Sequence, residues 1–354
     1  MSSPSLHDHR TLTVRIALPR SGIRLSGLFS VRQVVVSGIL ALLVVVIGLV
    51  ALGIGTYQID AITVLRALLG LEDPQTQMLV VQWRAPRVLF AVACGVALGI
   101  SGAIFQSLTR NPLGSPDILG FASGSYTGAV IVMLWLGSTR YLDVAAGSLI
   151  GGCLTAAAVY LLALRRGTVQ SFRLIIMGIG IGAMLSSISS ALMMFVDVDT
   201  AMLAAVWSSG SLNGLGNEQL WPMIAMLLVL LIIVARVAGP ISQMEIGDDT
   251  ARALGIRVEP VRAVAVVAGV GLTALVTAAA GPIAFVALAA PQIAKRLTRG
   301  SGLQLLPAAL VGALVLLVSD IIAQRAGFPV GVVTVSLGGA YLTWLLARQY
   351  RRSR

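Results

Sequence analysis

Apolar stretches of about twenty residues recur along almost the whole of this chain, and a stretch of that length is what one helix needs to cross a bilayer. Nine qualify: 33–53, 87–108, 117–137, 142–164, 173–195, 220–238, 261–280, 303–323 and 329–347. A tenth, Pro282–Ala294, is too short to cross alone. It is expected to be a half-helix packed among the others, where irregular backbone is tolerated at membrane depth. Only 11% of the 354 residues are charged and 57% are hydrophobic, whereas a soluble domain carries roughly a quarter charged residues. The expected fold is all-α, a polytopic membrane protein with about ten transmembrane helices.

The net charge of +11 suggests nucleic acid, but its placement argues against that partner. With a cytoplasmic N-terminus and ten crossings, five of the 25 basic residues fall outside: Arg66, Arg84, Arg87, Arg140 and Arg325. The other twenty fall inside, a strong positive-inside bias. Dropping the short eighth segment would move Lys295, Arg296 and Arg299 outside, so the bias supports counting it. Residues 1–32 are then a cytoplasmic Arg-rich tail without fixed structure, 33–347 the membrane domain and 348–354 a cytoplasmic C-terminal tail. The first apolar run is long and lacks a small-residue cleavage pattern, so no cleaved signal peptide is expected. An anionic lipid surface is the simplest partner of the basic charge.

Three loops are long. The outer loops 54–86 and 196–219 include Ala201–Gly214, expected to be a short helix against the bundle. The inner loop carries a coupling segment at about 240–258, with EIGDDTARALGIRV reading as a short amphipathic helix ending at Gly255, a C-cap. It is the natural docking place for a soluble partner. Glycines cluster within spans, at Gly95, Gly99 and Gly102, at Gly120, Gly124 and Gly128, and at Gly178, Gly180 and Gly182. Small faces of this kind let helices approach closely in lipid.

Catalytic chemistry is missing from the pattern. His7 and His9, the two histidines, lie in the N-terminal tail, and no His/Cys spacing suits a metal. Cys94 and Cys153 fall in apolar spans and read as small hydrophobes. The single lysine, Lys295, is not in a GxxxxGK[ST] context, so no phosphate-cradling loop is present. Asp117 and Asp320 lie near segment ends, and Asp320 reads as a cap or salt-bridge partner near the outer surface.

Between the second and third spans lies RNPLGSPDILG, Arg110–Gly120. Its two prolines and glycines cannot continue a helix, so the chain turns here. With WRAPR (Trp83–Arg87), SGAIFQSLTRNPLGSPDILGF (Ser101–Phe121), FRLIIMGIGIG (Phe172–Gly182) and VWSSGSLNG (Val206–Gly214), it belongs to a series of ordered blocks. The series continues with MEIGDDTARALGI (Met244–Ile256), AGPIAFVALAAPQIAKRL (Ala280–Leu297), SDIIAQ (Ser319–Gln324) and PVGVVTVSLGGAYLTWLL (Pro329–Leu346). In these blocks the chain resembles the iron–siderophore and vitamin-B12 class of ABC importer permeases, and its wording is closest to the ferric-enterobactin type.

The resemblance implies a type II importer bundle that pairs with a second permease subunit. Two ATPase subunits bind inside, using ATP and Mg, and an extracytoplasmic siderophore-binding protein docks outside. No cofactor or metal is expected on this chain, which is a conduit for a ferric siderophore rather than an enzyme. Arg84 and Arg87, with Arg325 as a looser match, are implied to receive acidic residues of the binding protein. Gln106, Asn111 and Leu113 match the inner gate, though Asn before Pro also initiates a turn. Ser171 and Phe172 align with a second constriction, where Phe172 departs from the small polar residues of the vitamin-B12 type. Gly247, Asp248, Asp249, Arg252, Leu254 and Gly255 match the helix that sits in a cleft of the ATPase. A vitamin-B12 or haem permease is the alternative within the class. An ion-coupled secondary transporter and a membrane-embedded enzyme are the alternatives outside it, disfavoured by the lack of mid-span acids and of a catalytic cluster.

Overall fold

The computed structural model of the chain describes residues 11–17, 24–55, 57–165, 168–169 and 171–352. Each of the ten apolar segments corresponds to a helix. α1 (Val31–Gly53) leads through short α2 (Ala61–Leu68) and α3 (Pro74–Gln77) and a π-helical stretch (Met78–Arg84) into α4 (Ala85–Thr109). α5 (Phe121–Trp135), α6 (Tyr141–Ala163), α7 (Ser171–Met193), α8 (Val198–Ser208) and α9 (Asn217–Met244) follow. The chain closes with α10 (Asp248–Ala253), α11 (Val258–Ala280), α12 (Val286–Thr298), α13 (Leu305–Ala326) and α14 (Val330–Arg352). Seven of the described helices are long and apolar enough to cross a membrane.

Two boundaries differ from expectation. The third apolar segment becomes helical only at Phe121, because Ser115–Gly120 is held as turns, with Gly120 at φ +74°. The tail expected to lack structure carries two strands, β1 (Thr11–Ala17) and β2 (Arg24–Ser30), paired antiparallel with Thr11 opposite Ser30. The reason lies in TLTVRIA, where polar and apolar residues alternate with the period of a strand. A second small hairpin, β3 (Leu164–Arg165) and β4 (Thr168–Val169), follows α6. His7 and His9 lie outside the described residues.

Burial separates core helices from lipid-facing ones. The apolar window containing α4 is 83% buried and that of α11 78% buried, against 22% for α1, α7 and α9. An apolar helix that is buried all round belongs to the centre of a bundle. α1 instead turns Val34, Val35, Ile39, Leu42 and Val45 outward.

Small residues set the spacing. A Cβ on Gly95 would lie 2.4 Å from the Gly312 carbonyl oxygen, and one on Gly128 2.1 Å from that of Gly147. These contacts fuse α4 to α13 and α5 to α6. Gly102 is tighter still, with the Ala287 carbonyl oxygen 1.7 Å from where its Cβ would stand. Gly180 is different, since nothing lies within 4 Å of its Cβ position. It plays no part in packing within this chain.

α12 has 13 residues, a length of about 20 Å, short of the roughly 30 Å hydrocarbon core. It begins after a break in which Gly281 has φ +72° and Phe285 φ +68°. A left-handed phenylalanine is sterically costly. Its backbone N–H donates to Oδ2 of Asp117 at 3.3 Å, so the loop after α4 supplies the acceptor that the broken helix lacks.

Candidate functional site

Two polar clusters, anchored at Arg87 and Arg110, stand at the two ends of α4, about 35 Å apart along its axis by helical rise. At the N-terminal end, Arg87 makes a fork on Asp320. Its Nη2 donates to Oδ1 at 2.8 Å and its Nε to Oδ2 at 3.0 Å. Gln324 Nε2 donates to the same carboxylate at 2.8 Å, and Arg87 Nη1 to Asn213 Oδ1 at 2.5 Å. The Asp320 side chain is 2% exposed, so this is a buried charge with every partner in place.

Arg84 has another task. Its Nη1 donates to the Leu52 carbonyl at 2.8 Å and its Nη2 to the Tyr57 carbonyl, pinning the α1–α2 connection. A cavity of about 690 Å³ opens beside it, lined by Gly53, Gln58, Arg87, Asn213, Gln324 and Arg325 among others. Of the three arginines singled out in the sequence, Arg87 and Arg325 share this cavity, with Arg325 exposed.

At the other end of α4 the chain leaves the helix through Arg110, left-handed at φ +49°. Asn111 Oδ1 accepts from the Leu113 N–H at 2.9 Å, so the turn-capping role of this Asn is realised. Leu113 stands exposed at the tip. Gln106 is buried one turn earlier. Its Nε2 donates to the Leu288 carbonyl at 3.0 Å and its Oε1 accepts from Gln292 at 2.5 Å, tying α4 to α12. Ser171 opens α7 and Phe172 projects from it, fully a surface residue.

The segment 247–255 forms as expected. Gly247, at φ +142°, precedes α10, and Leu254 and Gly255 end it, Gly255 at φ +86°. Its charges divide. The Asp249 side chain is wholly exposed, with Arg252 beside it at 2.8 Å, and Leu254 is exposed. Asp248 turns inward, where Oδ2 accepts from Arg262 Nη2 at 2.6 Å and Oδ1 from Arg110 Nη2. Arg110 also donates to the Met244 carbonyl at 2.7 Å. Arg262, 8% exposed, bonds Glu259 at 3.1 Å, and Glu259 accepts from the Tyr160 hydroxyl at 3.1 Å. Partial burial alone would raise the Asp248 carboxyl, but the Arg262 and Arg110 guanidiniums outweigh it and hold it below its ordinary value.

Arg110, Tyr160, Glu259 and Arg262 carry this second cluster, and sequence reasoning did not single them out. Arg110 and Asp248 are 138 residues apart, and no local spacing reports such a pair. Among the described residues, no group of three His, Cys, Asp or Glu is placed to hold a metal ion.

A bundle with seven helices long and apolar enough to cross a bilayer, its ion pairs gathered toward the two ends of α4, is a multi-pass membrane protein. Residues 42–348 match the FecCD transport family, and the chain belongs to that family. The ferric enterobactin transport system permease protein FepG of Escherichia coli is 44% identical over 312 residues, 87% of this chain and 94% of the relative. The iron(3+)-hydroxamate import system permease protein FhuG of Bacillus subtilis is 32% identical over 90% of this chain and 98% of its own. Among solved structures, a transporter described as of metal-chelate ABC type, in an inward-facing conformation, superposes with a TM-score of 0.78. It is 25% identical and covers 89% of this chain and 99% of that one.

Proposed function

We propose that this chain is the transmembrane permease subunit of an ATP-driven importer that moves a ferric siderophore across the cytoplasmic membrane. The observation that carries the reading is 44% identity to a ferric enterobactin permease across 87% of the chain. A cytoplasmic Arg110 end is supported by the charge distribution, since twenty of the 25 basic residues then lie inside. The chain works as a conduit beside a second permease subunit, and two separate ATPase subunits hydrolyse ATP with Mg. α10 is the surface they push on, through exposed Asp249 and Leu254. The loop bearing Asn111 and Leu113, with Phe172 on α7, forms the inner gate. A siderophore-binding protein docks at the opposite end, over the cavity shared by Arg87 and Arg325. The iron needs no ligand from the chain, because the chelator supplies them.

The test is uptake of radio-iron bound to a panel of siderophores, in cells with and without this chain. Loss of uptake for one chelate, with the ATPase and binding protein still expressed, supports the reading and names the cargo. Iron uptake unchanged for every chelate, beside lost cobalamin or haem uptake, moves the substrate within the class. Uptake that survives loss of the ATPase and collapses with an uncoupler overturns the importer reading.

A further inference from the structure

α10 is a six-residue helix, too short to hold itself in place, because isolated helices of a few turns are marginal in water. Something must fix it to the bundle if a push on it is to travel. The connection is the Asp248 carboxylate, which has one oxygen on the loop after α4, through Arg110, and the other on α11, through Arg262. We infer that Asp248 is a positioning residue that couples α10 to the 110–120 loop, so that the two move as one body. This rests on the proposed function for what pushes α10 and deepens it in one respect. The face of α10 divides into an outward half, Asp249 and Leu254, that meets the ATPase, and an inward half, Asp248, that transmits the load.

The geometry favours transmission over simple anchoring. Arg110 is the first residue past α4, and its guanidinium grips both Asp248 and the carbonyl of Met244, the last residue of α9. Displacing α10 therefore pulls on the residue next to Asn111. Arg262 stiffens the other side, held in turn by Glu259, which also takes the Tyr160 hydroxyl of α6. The ends of four spanning helices, α4, α6, α9 and α11, converge on this one carboxylate and its two arginines. A carboxylate suits the joint because each oxygen accepts a charge-assisted bond in its own direction. An amide in its place keeps one acceptor and loses the charge.

The test uses the complete transporter in proteoliposomes, reading iron uptake and ATP hydrolysis in the same vesicles. Asp248→Asn and Arg110→Gln are each expected to lower iron carried per ATP by about tenfold, within the range of ordinary coupling between two sites. Asp249→Asn is expected to weaken ATPase association, which Arg110→Gln leaves unchanged. Arg110 is exposed, so its variant stays folded should Asp248→Asn not. A cargo-independent reading comes from spin labels on Leu113→Cys and Ala253→Cys. Their separation should be single-valued with and without trapped ATP, and should broaden when Arg110→Gln is added. An unchanged ratio in both variants, or labels that stay locked without Arg110, would overturn the inference. Wild-type vesicles that hydrolyse ATP without moving iron would instead sink the functional reading, and the label measurement would still decide the joint.

Discussion

At the scale of single residues, the two ends of α4 show arginine used in two ways. Arg87 is spent on a buried partner, and Asp320 without it would be an uncompensated charge. Such a pair contributes little over a hydrophobic pair but is costly to break on one side. Asp320→Ala should therefore destabilise the purified chain by about 3 kcal/mol. Arg87→Met combined with Asp320→Leu should recover most of that in thermal melts in detergent. Asp248 gives a pH prediction. Its carboxyl is held below the ordinary 3.8 by Arg262 and Arg110. A depressed pKa means the stabilisation is full above about pH 4 and is lost as pH falls through the folded value. Melting temperature measured from pH 7 down to pH 3 should drop more steeply for wild type than for Asp248→Asn, and the two curves should converge at the acid end. Parallel curves would mean the carboxylate contributes nothing to the fold. Neither pair was legible in the sequence, where Arg87 and Asp320 stand 233 residues apart. The sequence did place Asp320 as a salt-bridge partner near a surface, since a lone acid at a span end needs a counter-charge.

Among elements, apolar length was the readable signal, and it located all ten helices, because in lipid the backbone has few alternatives to a helix. Where the chain departs from a continuous helix, length stops being informative. The third segment reads as apolar from Asp117, yet turns persist to Gly120, and α12 starts four residues after Pro282, since Phe285 is held left-handed by its bond to Asp117. The tail hairpin was missed because a seven-residue alternation is a weak pattern beside spans three times as long. Glycine clusters were legible as packing faces only in aggregate, as Gly102 and Gly180 demonstrate. Gly102→Ala pushes a methyl into the Ala287 carbonyl and should destabilise by about 1–3 kcal/mol, the usual range for overpacking. Gly180→Ala meets nothing within this chain and should be neutral or stabilising by up to about 1 kcal/mol from helix propensity. Chemical melts of the two variants in the same detergent separate the cases, and equal effects would contradict the packing described for α4 and α12.

For the whole molecule, the proposed function has load entering at one end of α4 and recognition at the other, and so asks for a rigid rod between two charged surfaces. α4 meets that demand by burial on nearly every side and by glycine contacts with α13 that leave no slack. Recognition must then be carried by charge that is not already committed to the fold. Arg84 is bound to two carbonyls and Arg87 to Asp320, whereas Arg325 lies exposed on the rim of the same cavity. The three arginines alike in sequence should therefore separate in experiment. Arg325→Glu should leave the melting temperature within experimental error, while binding-protein-stimulated ATP hydrolysis and iron uptake fall together. An acid-to-arginine change at the facing position of the binding protein should restore both. Arg87→Glu would set a second carboxylate against Asp320 and should lower the melting temperature whether or not a binding protein is present. No charge reversal on the partner should rescue it. If Arg325→Glu instead supports full stimulation, the docking charge lies elsewhere on this face and the cavity serves another purpose. A rescue of Arg87→Glu by the partner would show that the Asp320 fork opens on docking, making that ion pair a part of recognition rather than of the scaffold.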